Sequence, residues 1–220
     1  MKRIAGLLLG LLLLLGAAHA EIGAYTLELA IQPDGAGLFR ETFTYAFDGA
    51  YDSVTVSIPY TGRRLENLRA FVDDVEIVAG EESGAPAYTA AVDGGATVLT
   101  VALPGEGGTR TVRVEYRVSM IATRYKDISR VSQPLLTASE DYARASLRIS
   151  LPGSGIDDIW AFARGAMGAE QVTREADAVL IGPGPVAAGQ KVEANVLFPQ
   201  EWTPQLPQVN ADMLLTVLAR

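Results

Sequence analysis

Carboxylates are the side chains with which this chain could carry out acid–base chemistry. The one histidine, His19, lies near the N-terminus, and there is no cysteine. Ser-His-Asp and Cys-His catalysis need an imidazole base, and zinc and copper sites depend on His and Cys. His19 lies in a segment whose pattern, described below, predicts cleavage, and its loss would leave no imidazole, so these chemistries are disfavoured. Two facing acids could instead hydrolyse a glycosidic bond. The adjacent acids that could do so are Glu81-Glu82, Glu140-Asp141 and Asp157-Asp158.

The spacing of these pairs is unfavourable for such a reaction. Neighbouring side chains on a strand point to opposite faces, so two adjacent acids do not flank one bond. We therefore interpret the pairs as solvated loop acids and predict no catalytic residues. A Ser-Lys dyad would need a paired lysine, and Lys126 and Lys191 lie in no recognisable motif.

Calcium is the plausible metal, because it takes oxygen ligands alone. The loop acids Asp48, Asp52, Asp73 and Asp74 could meet at one end of a β-sandwich. No Asp-x-Asp-x-Asp spacing supports such a site, and the sequence has neither a P-loop nor a GxGxxG motif that opens a helix. We therefore predict no metal site and no cofactor.

Aromatic and basic residues are the candidates for binding. Trp160 and Trp202 could stack on sugars or peptides, although aromatic residues at strand spacing more often belong to the core. Residues 124–127, Arg-Tyr-Lys-Asp, form a charged cluster in an otherwise acidic chain. This cluster is the best sequence candidate for a partner surface, with a solvated loop as the favoured interpretation. The binding residues themselves stay unassigned.

The first 20 residues have the pattern of a secretory signal peptide. Lys2 and Arg3 precede an apolar stretch over residues 4–15, and Ala18-His19-Ala20 supplies a cleavage site of small residues. The apolar stretch is shorter than the roughly 20 residues with which a helix crosses a bilayer, and an uncleaved anchor stays open as the alternative. The sequence therefore predicts export to the periplasm or the medium, with no transmembrane segment after cleavage.

The charge balance narrows the classes of partner. The chain has 18 basic and 26 acidic residues, and loss of Lys2 and Arg3 with the signal peptide would leave 16 basic residues and a net charge of −10. A nucleic-acid-binding protein needs a basic footprint, and anionic membrane surfaces also attract basic segments. We therefore predict that the chain does not bind nucleic acid.

Alternation of apolar and polar residues predicts strands along most of the chain. Tight turns are expected at Asp73-Asp74 and at residues 93–95, and further turns at residues 48–52, 105–108 and 182–185. Residues 119–140 are less regular and read as a long connection that could hold a short helix. The predicted strands cover residues 25–31, 38–47, 53–59, 68–72, 75–78, 88–92, 97–102, 109–120, 143–151, 159–164, 178–181 and 191–198.

Many short strands with Gly/Pro turns and little helix predict an all-β fold, an antiparallel β-sandwich of immunoglobulin-like or related type. The sandwich is either one unit or two β sub-domains divided at residues 119–140. The expected organisation is a signal peptide at 1–20, a β-rich domain at 21–199 and a tail at 200–220. Residues 211–218 predict a short C-terminal helix.

The order of several motifs carries a family resemblance. YTLELAI at residues 25–31 and FRETFTYAF at 39–47 are followed by VEYRV at 114–118, RYKD at 124–127 and a strand that ends at Phe198-Pro199. This order resembles the exported N-terminal domain of the DUF2207 family of predicted bacterial membrane proteins, over residues 24–199. The resemblance implies an extracytoplasmic β-rich module without assigned activity or catalytic residues. Members usually continue into transmembrane helices, so this chain looks like a free exported version.

These observations favour a non-enzymatic exported domain of the cell envelope that binds an envelope protein or a surface polymer. Two alternatives stay open. One is a carboxylate-dependent glycan hydrolase, and the other is an accessory subunit of a membrane protein that supplies the missing helices. The sequence does not assign the ligand, the oligomeric state or the compartment.

Overall fold

The computed structural model describes residues 20–60, 62–80 and 85–219. The predicted signal peptide, apart from its last residue, and the acid pair Glu81-Glu82 lie outside the described residues. The elements are β1 (Ala20–Ile31), β2 (Gly37–Pro59), β3 (Leu65–Val72), β4 (Val75–Ile77), β5 (Ala87–Asp93), β6 (Ala96–Val118), β7 (Ala122–Arg124), β8 (Ser129–Thr137), β9 (Tyr142–Ser150), β10 (Trp160–Gly165), β11 (Val172–Arg174), β12 (Ala178–Val186), β13 (Lys191–Phe198) and α1 (Leu214–Leu218).

Over the described residues, the strands form a larger sheet of nine strands and a smaller sheet of four. The larger sheet has the order β11-β12-β9-β1-β2-β6-β3-β4, with β5 also paired to β6, and the smaller sheet has the order β10-β13-β8-β7. Buried side chains of both sheets form one core cluster. The predicted all-β sandwich with a short C-terminal helix is confirmed.

Strands β1 and β9 run parallel, whereas the other pairs of described strands run antiparallel. Ile22 lies beside Tyr142 and Leu29 beside Ile149. A parallel pair needs a crossover connection, and here the chain from β2 to β8 supplies it. This parallel pair brings Tyr142 close to the start of β1, where it borders the site described below.

Strands β2 and β6 form one long ribbon, so the turns predicted at residues 48–52 and 105–108 are wrong. The pairing shifts between Phe47 and Ala50 and again between Tyr51 and Ser53, which marks bulges instead of a chain reversal. Gly107 and Gly108 lie at this irregularity with φ of 60° and 91°, a conformation that glycine tolerates. The turn predicted at residues 182–185 is likewise a bulged part of β12.

The bulges exchange the two faces of β2. Before them the buried side chains include Phe43 and Tyr45, at odd positions, and after them Val54 and Val56, at even positions. A slip of one residue moves every following side chain to the other face of a strand. The two halves of β2 therefore contribute to the core from opposite sides of its backbone.

The two predicted tight turns are confirmed. Asp73 and Asp74 have φ of 48° and 65° and join β3 to β4, and Gly94 and Gly95 have φ of 55° and 87° and join β5 to β6. Two successive residues with positive φ form the turn that matches the twist of a β-hairpin. Asp tolerates this conformation better than most residues, and glycine has no side chain to oppose it.

The long connection predicted at residues 119–140 is wrong, because the structure has β7 and β8 there. Strand β8 lies between β13 and β7 in the smaller sheet. Pro134 argued against a strand because it cannot donate a ladder hydrogen bond. The structure accommodates it at a register shift, where Pro134 lies opposite Glu193 and Leu136 opposite Val192.

Candidate functional site

A groove of about 330 Å³ lies between the inner face of β2 and strand β8. Phe39, Glu41, Phe43 and Tyr45 of β2 line it in turn, which at about 3.3 Å per residue gives a length of about 20 Å. Pro134, Leu135, Leu136, Thr137, Ala138 and Ser139 line the opposite side. The volume lies at the lower end of the range for small-molecule sites.

The two ends of the groove differ in chemistry. Arg63 lines the groove and donates a hydrogen bond from Nη1 to the Gln133 side-chain oxygen. It belongs to the Phe39 end, because the next residue, Arg64, bonds to Ser119, and the preceding Val118 is paired with Gly37 at the start of β2. At the Tyr45 end lies Tyr142, which β1 brings there because Ile22 pairs with both tyrosines. Burial lowers the pKa of Arg63, and no salt bridge to it is found among the described residues.

Glu41 lies between Phe39 and Phe43 along the groove and is only 8% exposed. The hydroxyl of Tyr25 donates to its Oε2 at 2.7 Å, and the hydroxyl of Tyr116 donates to its Oε1. Tyr25 on β1 is paired with Phe43 of β2, and Tyr116 on β6 is paired with Phe39 of β2. Both hydroxyls therefore reach Glu41 from diagonal positions. Each carboxylate oxygen thus accepts one tyrosine hydroxyl.

Burial controls the protonation of this cluster. Burial raises the pKa of Glu41, and this effect outweighs the two tyrosine hydrogen bonds, which lower it. Burial and then the charge of Glu41 raise the pKa of Tyr25 and of Tyr116 well above the ordinary value. Glu41 has no salt bridge among the described residues. When Glu41 is ionised, hydroxyl dipoles compensate its charge, which is incomplete compensation for a buried ion.

Aromatic rings surround Glu41. The rings of Phe39 and Tyr116 stack with centroids 5.0 Å apart, and the Tyr25 ring lies 5.0 Å from that of Phe43 and 5.2 Å from that of Tyr142. Aromatic faces carry partial negative charge and attract cations. Burial raises the pKa of Tyr142 to about 12, so its ring also stays neutral near pH 7.

The outer face of the same sheet carries a row of alternating charges. Across β9, β1, β2, β6 and β3 the register places Arg148, Glu28, Arg40, Glu115 and Arg69 side by side. We call these five residues the outer charge row. Arg40 lies 3.2 Å from Glu28 and 3.1 Å from Glu115, and Arg69 lies 3.6 Å from Glu115. The row is a cross-strand ladder of opposite charges.

A shallow depression of about 550 Å³ opens beside the outer charge row. Leu38 lies in it with 43% of its surface exposed, and Arg117 lines the same depression. Nearby, the guanidinium of Arg113 lies 3.7 Å from the centroid of the Phe71 ring. The outer face therefore combines fixed arginines with one exposed leucine.

The acid pairs considered from the sequence do not meet in a cleft within the described structure. Asp157 and Asp158 lie in an exposed 3₁₀ turn, Ile156–Asp158, and Asp141 is exposed and accepts the backbone N–H of Ala188 at 2.8 Å. Asp73 accepts hydrogen bonds from Arg110 Nε and the Thr111 N–H. No group of three metal-ligating side chains is found among the described residues.

The charged cluster at residues 124–127 holds the C-terminal tail. Asp127 accepts the backbone N–H groups of Met213 and Leu214 at 2.9 Å, and the Arg124 carbonyl accepts the N–H of Val209 at 2.8 Å. Burial acts to raise the pKa of Asp127, but these backbone hydrogen bonds outweigh it and lower the pKa. The cluster therefore has a structural role in addition to any role at the surface.

The two tryptophans lie outside both sites. Trp202 packs on the core with its ring centroid 6.1 Å from that of Phe198, and Gly153 leaves room for it because a side chain there would collide with the indole. Trp160 is half-buried in β10. Neither lines the groove.

Glu41 is the functional candidate that the sequence interpretation missed. Its signal is present in the sequence, since Glu41 occupies the same alternation as Phe39, Phe43 and Tyr45 and so points to the apolar face. The outer charge row has no comparable signal, because its members come from five strands far apart in the chain.

Comparison with known proteins gives a family and a fold. A family model described as the N-terminal domain of a predicted membrane protein (DUF2207) matches residues 21–198. Comparison with curated protein sequences gives no match. No helix among the described residues has the length and hydropathy needed to cross a membrane.

Solved structures resemble the chain in fold alone. Native yeast LTA4 hydrolase is 10% identical with a TM-score of 0.55, over 80% of this chain and 29% of the hydrolase. The yeast hydrolase bound to bestatin is 11% identical with a TM-score of 0.54, over 80% and 28%. An M1 zinc metallopeptidase from Deinococcus radiodurans is 13% identical with a TM-score of 0.43, over 80% and 42%. The chain thus spans less than a third of the hydrolase and less than half of the metallopeptidase.

Proposed function

The chain belongs to the family of predicted membrane proteins that share the DUF2207 N-terminal domain, and on this premise we propose that it is a non-enzymatic exported domain that binds an envelope protein or a surface polymer. The binding surface is the outer face of the larger sheet. The observation that carries the proposal is the outer charge row, which presents both signs of charge beside the exposed Leu38.

The composition of this face supports binding. Arginine is enriched at the energetically important positions of protein interfaces. Leu38 adds exposed apolar surface in the depression, which a partner could cover. The salt bridges to Glu28, Glu115 and Glu76 hold Arg40 and Arg69 in place before any partner arrives. Fixed side chains lose less conformational entropy on binding than free ones.

The charge pattern favours a protein over an anionic polymer. Each arginine of the outer charge row already has a carboxylate partner, since Arg148 also lies 2.8 Å from Glu175. A polyanion would have to displace these carboxylates, whereas a protein surface with alternating charges can match them in register. An envelope protein is therefore the favoured partner, and this includes a membrane protein for which the chain acts as an accessory subunit.

Photo-cross-linking in intact cells tests the proposal. A photoreactive phenylalanine analogue replaces Leu38 in the outer face, and the matched control replaces Phe162, which is 37% exposed on the smaller sheet. We expect a discrete adduct from position 38 and at least tenfold less from position 162. Arg40→Glu, which reverses one charge of the row, is expected to reduce the adduct at least tenfold.

The control substitution is Arg164→Glu, an exposed arginine on β10 of the smaller sheet, which is expected to leave the adduct unchanged. A ladder of adducts of varying mass supports the polymer as the partner. Equal yields from both positions, or an adduct that Arg40→Glu leaves unchanged, contradict the outer face as the binding surface.

The glycan hydrolase alternative is supported by one observation. Glu41 is buried with a raised pKa, as a general acid requires. A hydrolase also needs a second carboxylate about 5 to 10 Å away, and Glu41 is the one carboxylate among the described residues that line the groove. Turnover of an envelope glycan that Glu41→Gln abolishes would replace the binding proposal.

A further inference from the structure

The groove on the inner face contains the carboxylate of Glu41, and only some of its hydrogen-bond acceptor positions are occupied. Glu41 accepts one hydroxyl on each oxygen, whereas an ionised carboxylate has about four acceptor positions. Glu41 lines the groove and keeps 8% of its surface exposed. No cationic side chain among the described residues forms a salt bridge with it.

The lining around Glu41 suits a positive group with an apolar substituent. The rings of Phe39, Phe43, Tyr45, Tyr116 and Tyr142 line the groove. Aromatic faces attract ammonium groups, more strongly when water is excluded, and sites for organic ammonium ions combine such rings. The chain also carries a net charge of −8, which attracts cations over longer distances.

The positive charge of Arg63 at one end of the groove would set the orientation of a bound cation. Arg63 lies at the Phe39 end, where its only hydrogen-bond partner found among the described side chains is Gln133. A cationic group is repelled at that end and is placed at Glu41, so its apolar substituent extends along the rings of Tyr45 and Tyr142. An anion would favour Arg63 but would have to lie beside Glu41.

We propose that this groove binds an organic ammonium ion carried on an apolar chain, with Glu41 as its counter-ion. The aromatic rings contact the ammonium group and the apolar chain fills the Tyr45 end. The site lies on the opposite face of the sheet from the outer charge row, so its existence does not depend on the proposed partner surface.

Calorimetric titration of the protein without its predicted signal peptide, residues 21–220, tests the proposal. Three probes of equal carbon-chain length are compared. The probes are octylamine, octanoate and octanol, each below the concentration at which it aggregates. We expect octylamine to bind at one site per chain and at least tenfold more tightly than octanoate. Equal or tighter binding of octanoate overturns the proposal, as does the absence of octylamine binding.

Substitutions locate the site. Glu41→Gln keeps the shape of the side chain and is expected to weaken octylamine binding at least tenfold while octanol binding changes less than twofold. Glu106→Gln, an exposed carboxylate on β6, is the matched control and is expected to bind octylamine as the native chain does. Unchanged octylamine binding by Glu41→Gln overturns the assignment of the counter-ion.

A second variant keeps the test independent of the folding of Glu41→Gln. Thr55 lines the groove and is exposed, so Thr55→Trp places a bulky ring in the groove without removing a buried group. We expect it to weaken octylamine and octanol binding at least tenfold. If Thr55→Trp binds both probes as the native chain does, the placement of the site in this groove is overturned.

Discussion

Glu41 and Glu115 show how the two faces of one sheet use the same residue type. They lie on the neighbouring strands β2 and β6, and Glu115 is paired with Arg40, the residue next to Glu41. Glu41 points inward and accepts two tyrosine hydroxyls, whereas Glu115 points outward and contacts arginines on both neighbouring strands. The face to which each side chain points decides its partners and its exposure.

A carboxylate contributes differently to stability on the outer face and on the inner face of the sheet. On the outer face, water screens the charge and each ion pair contributes little to stability. On the inner face, burial makes each hydrogen bond to Glu41 important and makes an uncompensated charge costly. Substitutions that are equivalent in chemistry should therefore have unequal effects on the two faces.

The largest expected effect is that of Glu41→Ala. It leaves the hydroxyls of Tyr25 and Tyr116 buried without their acceptor, and each unsatisfied group costs about 1–3 kcal/mol. We expect the free energy of unfolding in urea to fall by about 2–4 kcal/mol. Glu115→Ala, the matched change on the outer face, should cost less than about 1 kcal/mol. Equal losses for the two variants would contradict the contrast between the faces.

The next effect is a pH dependence of stability that Glu41→Gln removes. Because burial raises the pKa of Glu41 above its ordinary value of 4.5, protonation favours the folded state. That contribution is present below the ordinary pKa and is lost as pH rises through the raised pKa of the folded state. The native chain should therefore lose stability relative to Glu41→Gln as pH rises from 4.5 toward neutrality.

Urea unfolding at several pH values measures this difference. Tyr25 and Tyr116, which face Glu41 from β1 and β6, stay neutral over this interval because their pKa values are raised well above 10.0. Each unit by which the pKa of Glu41 is raised corresponds to about 1.4 kcal/mol. Parallel curves for the two chains would show that Glu41 does not titrate in this way.

A smaller effect is expected for Arg40→Ala. This substitution removes the ion pairs with Glu28 and Glu115 on the outer face, where the Arg40 side chain is 54% exposed. We expect a loss of at most about 1 kcal/mol, and a smaller loss in 0.5 M salt because salt screens surface charges. Tyr116→Phe removes a buried hydroxyl and should show no such salt dependence. A loss from Arg40→Ala that grows with salt would contradict the screening argument.

The smallest effect on stability is expected for Leu38→Ser. Its side chain is exposed beside the outer charge row, so unfolding in urea should change by less than about 0.5 kcal/mol. The same substitution should nevertheless weaken partner cross-linking from a neighbouring outer-face position, because it removes apolar surface that the proposed partner would cover. A stability loss near that of Glu41→Ala would show that Leu38 belongs to the core.

Much of the fold was predictable from local patterns. Period-2 alternation located the strands from β1 to β13 apart from β7, β8 and β11, and Asp73-Asp74 and Gly94-Gly95 identified the turns that positive φ requires. The bulges in β2 and β6 resemble turns in the sequence, because glycine and aspartate are common in both. Strand β8 was missed because Pro134 is tolerated at a bulge that depends on the register with β13.

By itself, the sequence determined which side chains share a face of each strand. It places Glu41 among Phe39, Phe43 and Tyr45, and Arg40 on the opposite side, because successive side chains of a strand alternate. Only the tertiary structure decided which strands became neighbours. Tyr116 reaches Glu41, and Glu115 reaches Arg40, across 75 residues of chain. Such contacts depend on long-range strand pairing and register, which the cooperative packing of the whole core determines and no local pattern encodes.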